Sequence, residues 1–247
     1  MLLTNVTYLN KCQRVSRGNI LITDGVIKII EDSDFSMKDY NVSEIIDCKK
    51  YIIIPVLING HYHNGSLLAK GLSKEIAINE WEGKSLQGTL QSTLFQYLDE
   101  DLTEEEYLTV CIKGYIDLIK NGVTFVSDSC SADRSPDYLV KAMKLLGISG
   151  VIDVEEGVGT IEEGYCADLV FLDKTDSRLF PLINNNEFSN VVHNLIIECR
   201  EDMIKHVIAK GKWVMRERKI VQVDECRILK NYEKIVKNIY EKYILEM

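Results

Sequence analysis

The chain has 247 residues, 46% hydrophobic and 27% charged, with a net charge of -9, a globular composition that excludes a disordered or low-complexity protein. The acidic balance argues against a nucleic-acid partner, since binding a phosphate backbone draws on clustered Lys and Arg; a small-molecule substrate or a protein partner is expected instead. The longest apolar run, YIIIPVLI, falls far short of the about 20 residues of a membrane span.

Seven dispersed cysteines, odd in number and never in a CxxC spacing, point to reduced thiols. The opening residues MLLTNVTYLNKCQ lack the basic and apolar regions of a signal peptide, so a cytoplasmic protein is expected.

In chain order, residues 1–55 are short and β-rich. LLTNVTYL is followed by NILITDGVIKII, where Asp24-Gly25 between β-branched runs signals a hairpin, and by EIIDCKKYIII as a further strand pair or bent strand. A small antiparallel sheet is expected here. After Pro55, VLINGHYH has the character of a buried strand entering a loop.

Residues 103–122 carry a strong helix signal. Thr103 with Glu106 forms a capping box, acids fill the first turn, Tyr107, Val110, Cys111, Tyr115, Leu118 and Ile119 keep helical spacing, and Asn121-Gly122 ends the run. VTFVSD (123–128) reads as a strand, SPDYLVKAMKLLG (135–147) as a helix, and ISGVID (148–153) as a third strand, a rhythm of βαβ units. From about 157 the segments return to β-type: ADLVFLD, SNVVHNLI, MIKHVIAKGKWVM with a hairpin at Lys210-Gly211, and KIVQV. The tail from 226 has the apolar spacing of an amphipathic helix, with Ile228, Leu229, Tyr232, Ile235, Val236, Ile239, Tyr240 and Tyr243 on one face.

The chain holds four histidines, His61, His63, His193 and His206. In a strand, residues i and i+2 share a face, so His61 and His63 can approach one ion while Tyr62 points away. An isolated HxH is otherwise an ordinary strand feature, and catalytic zinc takes three protein ligands plus water. Asp128 closes a strand of the βαβ region, where barrel sites gather, and reads either as a further ligand or as a cap or loop anchor. His193 and His206 fall in β-type segments and read as surface or half-buried strand residues. Trp81 and Trp213 read as packing residues, and Glu104 to Glu106 as a solvated helix start.

Three stretches carry a resemblance. NGHYHN is similar to the proline-strand-HxH signature of the amidohydrolase superfamily, with Val56 where that family more often has glycine after the proline. WEGKSLQGTL, continuing through LTEEEYLTVCIKGYIDLIKNGVTFVSD, resembles the helical insertion, first helix and second strand of its nucleobase-deaminase and triazine-chlorohydrolase branch. VGTIEEGYCADLVFLD and KHVIAKGKWVMRERKI resemble its return into a small β-domain and the hairpin that closes it.

The resemblance implies an α/β plus β fold: a composite small β-sandwich from both termini (1–55 and 157–225), an incomplete (β/α) TIM-barrel fragment inserted at 56–156, and a C-terminal helix at 226–247. A complete (β/α)₈ barrel occupies about 250 residues, whereas about 100 are available between Pro55 and the return, room for two to three units of roughly 30 residues each.

The family's metal and catalytic set would include histidines on the fifth and sixth strands, a glutamate proton shuttle and an aspartate on the eighth, none of which has a counterpart here. The resemblance therefore implies a zinc or iron ion on His61 and His63, with Asp128 as a weaker candidate, and no assignable catalytic residue. It implies hydrolysis of a C–N bond or a ring chloride on a nucleobase-like ring, impaired by the missing strands. The alternative is an inactive remnant acting as a binding or oligomerising scaffold, with pairing through exposed edges of the barrel fragment.

Overall fold

The computed structural model describes residues 1–31, 42–71, 85–129, 135–150, 160–185 and 188–244. In chain order the strands and helices are β1 (Leu2–Leu9), β2 (Val15–Thr23), β3 (Val26–Glu31), β4 (Ile45–Asp47), β5 (Tyr51–Pro55), β6 (Leu57–Tyr62), α1 (Leu86–Glu100), α2 (Glu104–Lys120), β7 (Val123–Asp128), α3 (Ser135–Leu146), β8 (Ser149–Gly150), β9 (Leu169–Asp173), α4 (Val191–Glu198), β10 (Ile204–Ala209), β11 (Lys212–Arg216), β12 (Lys219–Ile220) and α5 (Glu225–Ile239). They form two compact units. One comprises Met1–Ile58, Leu118–Phe125 and Val154–Val221, the other Asn59–Asp117, Val126–Asp153 and Gln222–Met247.

The first unit is built on a nine-stranded mixed sheet of order β12-β11-β10-β9-β5-β1-β2-β3, with β4 also pairing β1. Strands from both ends of the sequence meet where β5 pairs β9 antiparallel, Tyr51 opposite Asp173 and Ile53 opposite Phe171. The expected Asp24-Gly25 hairpin joins β2 to β3, both residues at positive φ (53° and 80°) as a two-residue turn requires. Lys210-Gly211 makes the second hairpin, at 49° and 71°.

The two hairpin tips touch: a Cβ on Gly211 would lie 2.7 Å from the Gly25 Cα, and one on Gly25 would lie 2.9 Å from the Lys210 carbonyl oxygen. Both glycines are therefore required twice over, by dihedral angle and by space. Alternate residues of these strands, among them Val6, Ile20, Ile27, Ile53, Phe171 and Ile208, close one core. Burying each large side chain contributes roughly 1.5–3 kcal/mol.

The opening strands are not all antiparallel. β4 and β5 both run parallel to β1 along the same edge, Leu2 opposite Ile45 and Thr7 opposite Ile52. A parallel neighbour needs a crossover connection rather than a tight turn, and between β1 and β4 the chain first makes β2 and β3. The segment SNVVHNLI also departs from expectation, since residues 191–198 are the helix α4. Its short apolar run satisfies either period: Val191 and Leu195, four apart, are buried while Ile196 and Ile197 stay exposed. In KIVQV only Lys219 and Ile220 are strand.

In the second unit, α2 begins at the expected capping box. The Glu106 N–H donates to Thr103 Oγ1 at 3.3 Å, and the Thr103 N–H returns to the Glu106 carboxylate at 3.0 Å. Its buried face is the predicted one, including Tyr107, Val110, Cys111 and Tyr115. α3 packs on it through Tyr107 and Tyr138, ring centroids 5.2 Å apart. α5 starts at Asp224, whose side chain accepts the Arg227 N–H, and buries Ile235 and Ile239.

A three-stranded sheet has the order β6-β7-β8. The expectation of a buried strand at VLINGHYH fails, since Leu57 and Ile58 are 49% and 54% exposed. β6 is an end strand of that sheet, so among the described residues it has a neighbour on one edge only. Trp81 and residues 151–153 of the third expected strand lie outside the described residues.

Candidate metal centre

The carboxyl end of β6 carries the histidine pair. Strand alternation sends Tyr62 to one side, where its hydroxyl donates to the Gly114 carbonyl in α2 at 3.4 Å and burial pushes its phenol above the usual tyrosine range. His61 and His63 go to the other side and are exposed. Their Nε2 atoms face one another at 3.0 Å, with ring centroids 4.6 Å apart and planes at 84°.

Below the pair lies a buried polar anchor. At the end of β7, one Asp128 oxygen accepts the Tyr115 hydroxyl at 2.9 Å and the other the Asn64 N–H at 3.3 Å. Burial raises the Asp128 carboxyl above its usual range, against the pull of these two hydrogen bonds and of His63. Asn64 is 2% exposed; its Nδ2 donates to the Cys111 carbonyl at 3.1 Å, while its Oδ1 is buried without a partner. The Asn64 amide rests against Gly114, where a Cβ would come within 2.6 Å of it.

Asn64, Gly114 and Tyr115 were not singled out by sequence reasoning as site residues. The one signal was Gly114 itself, a glycine inside an otherwise strong helix, which often marks a close approach.

The other two histidines lie elsewhere in the fold. His193 is exposed on α4. His206, on β10, is 5% exposed within a ring cluster of Tyr51, Phe171 and Trp213. Its Nδ1 accepts the Glu217 N–H at 3.2 Å, and its Nε2 lies 2.9 Å from the Tyr51 hydroxyl. Trp213 is a packing residue, as expected, and its Nε1 donates to Glu44 at 3.1 Å.

The geometry of the pair fits one divalent ion. Two imidazole nitrogens on one tetrahedral zinc, each about 2.0–2.1 Å from it, stand roughly 3.3 Å apart, close to the 3.0 Å observed here. Among the described residues no group of three or more His, Cys, Asp or Glu side chains is placed to hold a metal. The Asp128 oxygens are turned to Tyr115 and Asn64.

No family model matches. A 5'-deoxyadenosine deaminase of Methanopyrus kandleri is 36% identical over 100 residues, 40% of this chain and 22% of the relative. A 5-methylthioadenosine/S-adenosylhomocysteine deaminase of Acetivibrio thermocellus is 29% identical over 120 residues, 48% of this chain and 26% of the relative. The chain thus matches only about a quarter of the length of these curated relatives.

Among solved structures, a zinc-bound adenosine deaminase from Xanthomonas campestris aligns with a TM-score of 0.79 at 9% identity, over 97% of this chain and 98% of that one. The zinc complex of an atrazine chlorohydrolase from Arthrobacter aurescens aligns at 0.73 and 11% identity, over 95% and 99%. In part of its sequence the chain is similar to these deaminases, and in fold to the deaminase and chlorohydrolase structures.

Proposed function

We propose that His61 and His63 hold a divalent ion, zinc or iron, and that the chain is a metal-dependent hydrolase by descent, directed at a C–N bond of a nucleobase-like ring or at a ring chloride. The facing Nε2 atoms, 3.0 Å apart at the end of β6, carry this reading. Similarity to the deaminase relatives supports, as the substrate class, a purine nucleoside modified at its 5' position.

A bound ion of this kind supplies the Lewis acidity that makes water nucleophilic near neutral pH. The chain's own residues bind and orient. His61 and His63 are the ligands, Tyr62 pins their strand to α2, and Asp128 is a positioning residue that fixes Tyr115 and the turn after His63. In this reading β6, β7, β8 and their helices are the first part of a barrel, and both ends of the sequence complete one β-domain. The later barrel ligands and the proton-carrying glutamate have no counterpart among the described residues, so turnover is lower than in a complete relative.

A second reading, a non-catalytic scaffold, is favoured by the apolar end strand bearing Leu57 and Ile58. Metal analysis and ammonia release from a panel of 5'-modified adenosines separate the two. The enzyme reading expects stoichiometric zinc or iron, lost in His61→Ala and His63→Ala, with ammonia release lost in parallel. Metal without ammonia release supports the scaffold, and failure to take up zinc or iron on reconstitution overturns the metal assignment.

A further inference from the structure

A second cluster of chemistry lies in the first unit, on the face of β1 opposite to the core. Lys174 follows β9, and its backbone N–H is held by the Lys50 carbonyl at 3.2 Å. Its side chain reaches across to donate from Nζ to Thr7 Oγ1 at 3.2 Å. Thr7 stands opposite Arg17 in the β1–β2 register and opposite Ile52 in the β1–β5 register. Lys174 and Arg17 thus flank the Thr7 hydroxyl from its two sides, and Lys49, in the turn before β5, adds to the positive charge felt by Lys174.

Among the described residues none of Arg17, Lys49 and Lys174 makes an ion pair. The Asp47 carboxylate, which interacts with Lys49 and Lys50, takes its hydrogen bonds from Asn5 Nδ2 at 3.0 Å and the Lys49 N–H at 3.1 Å.

This arrangement is unfavourable as it stands. Lys174 is half-buried, yet its ammonium is bonded to a neutral hydroxyl; burial, then Arg17 and Lys49, hold its pKa below the usual lysine range. The chain as a whole has 38 acidic against 29 basic residues, so a local excess of cations, with Asp47 beside Lys49 and Lys50 but ion-paired to neither, runs against its composition. An anion among them would neutralise the repulsion and accept charge-assisted hydrogen bonds. A tetrahedral dianion suits three positive charges better than a single carboxylate does, and a guanidinium fork matches phosphate geometry.

We propose that Arg17, Lys49, Lys174 and the Thr7 hydroxyl form a binding site for a phosphate group, carried either by inorganic phosphate or by a nucleotide. The site is independent of the histidine pair. Calorimetric titration of the full chain with inorganic phosphate and with adenosine 5'-monophosphate, at ionic strength held constant with chloride, tests it.

Saturable 1:1 binding is expected, weakened about tenfold or more in Arg17→Gln and in Lys174→Met and unchanged in His61→Ala. Circular dichroism establishes that each variant is folded, and the exposed Lys49→Ala provides a third variant, expected to weaken binding to a smaller degree. Tighter binding of the nucleotide than of phosphate identifies a nucleotide as the source, and equal affinity identifies free phosphate. No saturable binding of either, or binding unaltered in Arg17→Gln and Lys174→Met, overturns the proposal.

Discussion

His206 shows how one buried side chain ties pH to stability. The Glu217 N–H occupies Nδ1, so the proton of the neutral ring sits on Nε2, facing the Tyr51 hydroxyl at 2.9 Å and the Glu217 carboxylate at 3.3 Å. Burial is the main cause that lowers its pKa below 6.5, with Glu217 pulling the other way. A depressed histidine binds its proton less readily folded than unfolded, so its contribution is fully present above about pH 6.5 and is lost as pH falls towards the folded value. Urea unfolding of the wild type should therefore show a midpoint that declines below pH 6.5, with a shallower slope in His206→Gln; parallel slopes would remove His206 as the cause.

At Asp128 the expectation concerns unpaired donors. Asp128→Ala leaves the Tyr115 hydroxyl and the Asn64 N–H buried without their acceptor, a loss of roughly 2–4 kcal/mol in unfolding free energy. Asp128→Asn keeps one acceptor oxygen and should lose about half of that. Equal stability of the two variants would show that the carboxylate's charge, rather than its hydrogen bonds, matters. These residues were partly legible beforehand. The HxH spacing and a carboxylate closing a strand are sequence features, whereas Asn64 and Tyr115 join them only when β6, α2 and β7 are brought together.

Among the elements, those whose signals are local emerged as expected. The capping box of α2, the two glycine hairpins and the C-terminal helix each rest on residues within one turn of one another. α4 was misassigned because a run such as VVHNLI fits both periods, and burial against the rest of the unit decides between them. The contact between the hairpin tips was invisible in the sequence, since Gly25 and Gly211 are far apart along it. Gly211→Ala should destabilise the protein by about 1–3 kcal/mol, combining the strain of positive φ with the 2.7 Å clash on Gly25. Thermal unfolding measures this, and Gly164→Ala, at φ 87° but in open space, separates dihedral strain from the clash.

For the whole molecule, the chief question is how a chain matching about a quarter of its curated relatives' length manages its surfaces. β6 ends the described three-stranded sheet and shows Leu57 and Ile58 to solvent. An apolar end strand with open backbone groups invites pairing with another chain. We expect concentration-dependent self-association in sedimentation velocity, diminished by Ile58→Lys; a monomer at all concentrations would show that the edge is covered. Among the described residues no helix is long and apolar enough to cross a membrane.

The sequence by itself determined the local devices and carried the likeness to known proteins: caps, glycine turns, the helical stripe of α2, the paired histidines, and the stretches resembling a deaminase. All of these are written in residues a few positions apart or in motifs that survive as short strings. Only the tertiary structure decided that β4 and β5 run parallel to β1, that β6 is exposed, and that Asp128 faces Tyr115 and Asn64. It alone brought Lys174 to Thr7 beside Arg17. Each of these depends on residues distant in sequence competing for the same space or the same hydrogen bond, and periodicity along one segment carries no record of which partner arrives from another.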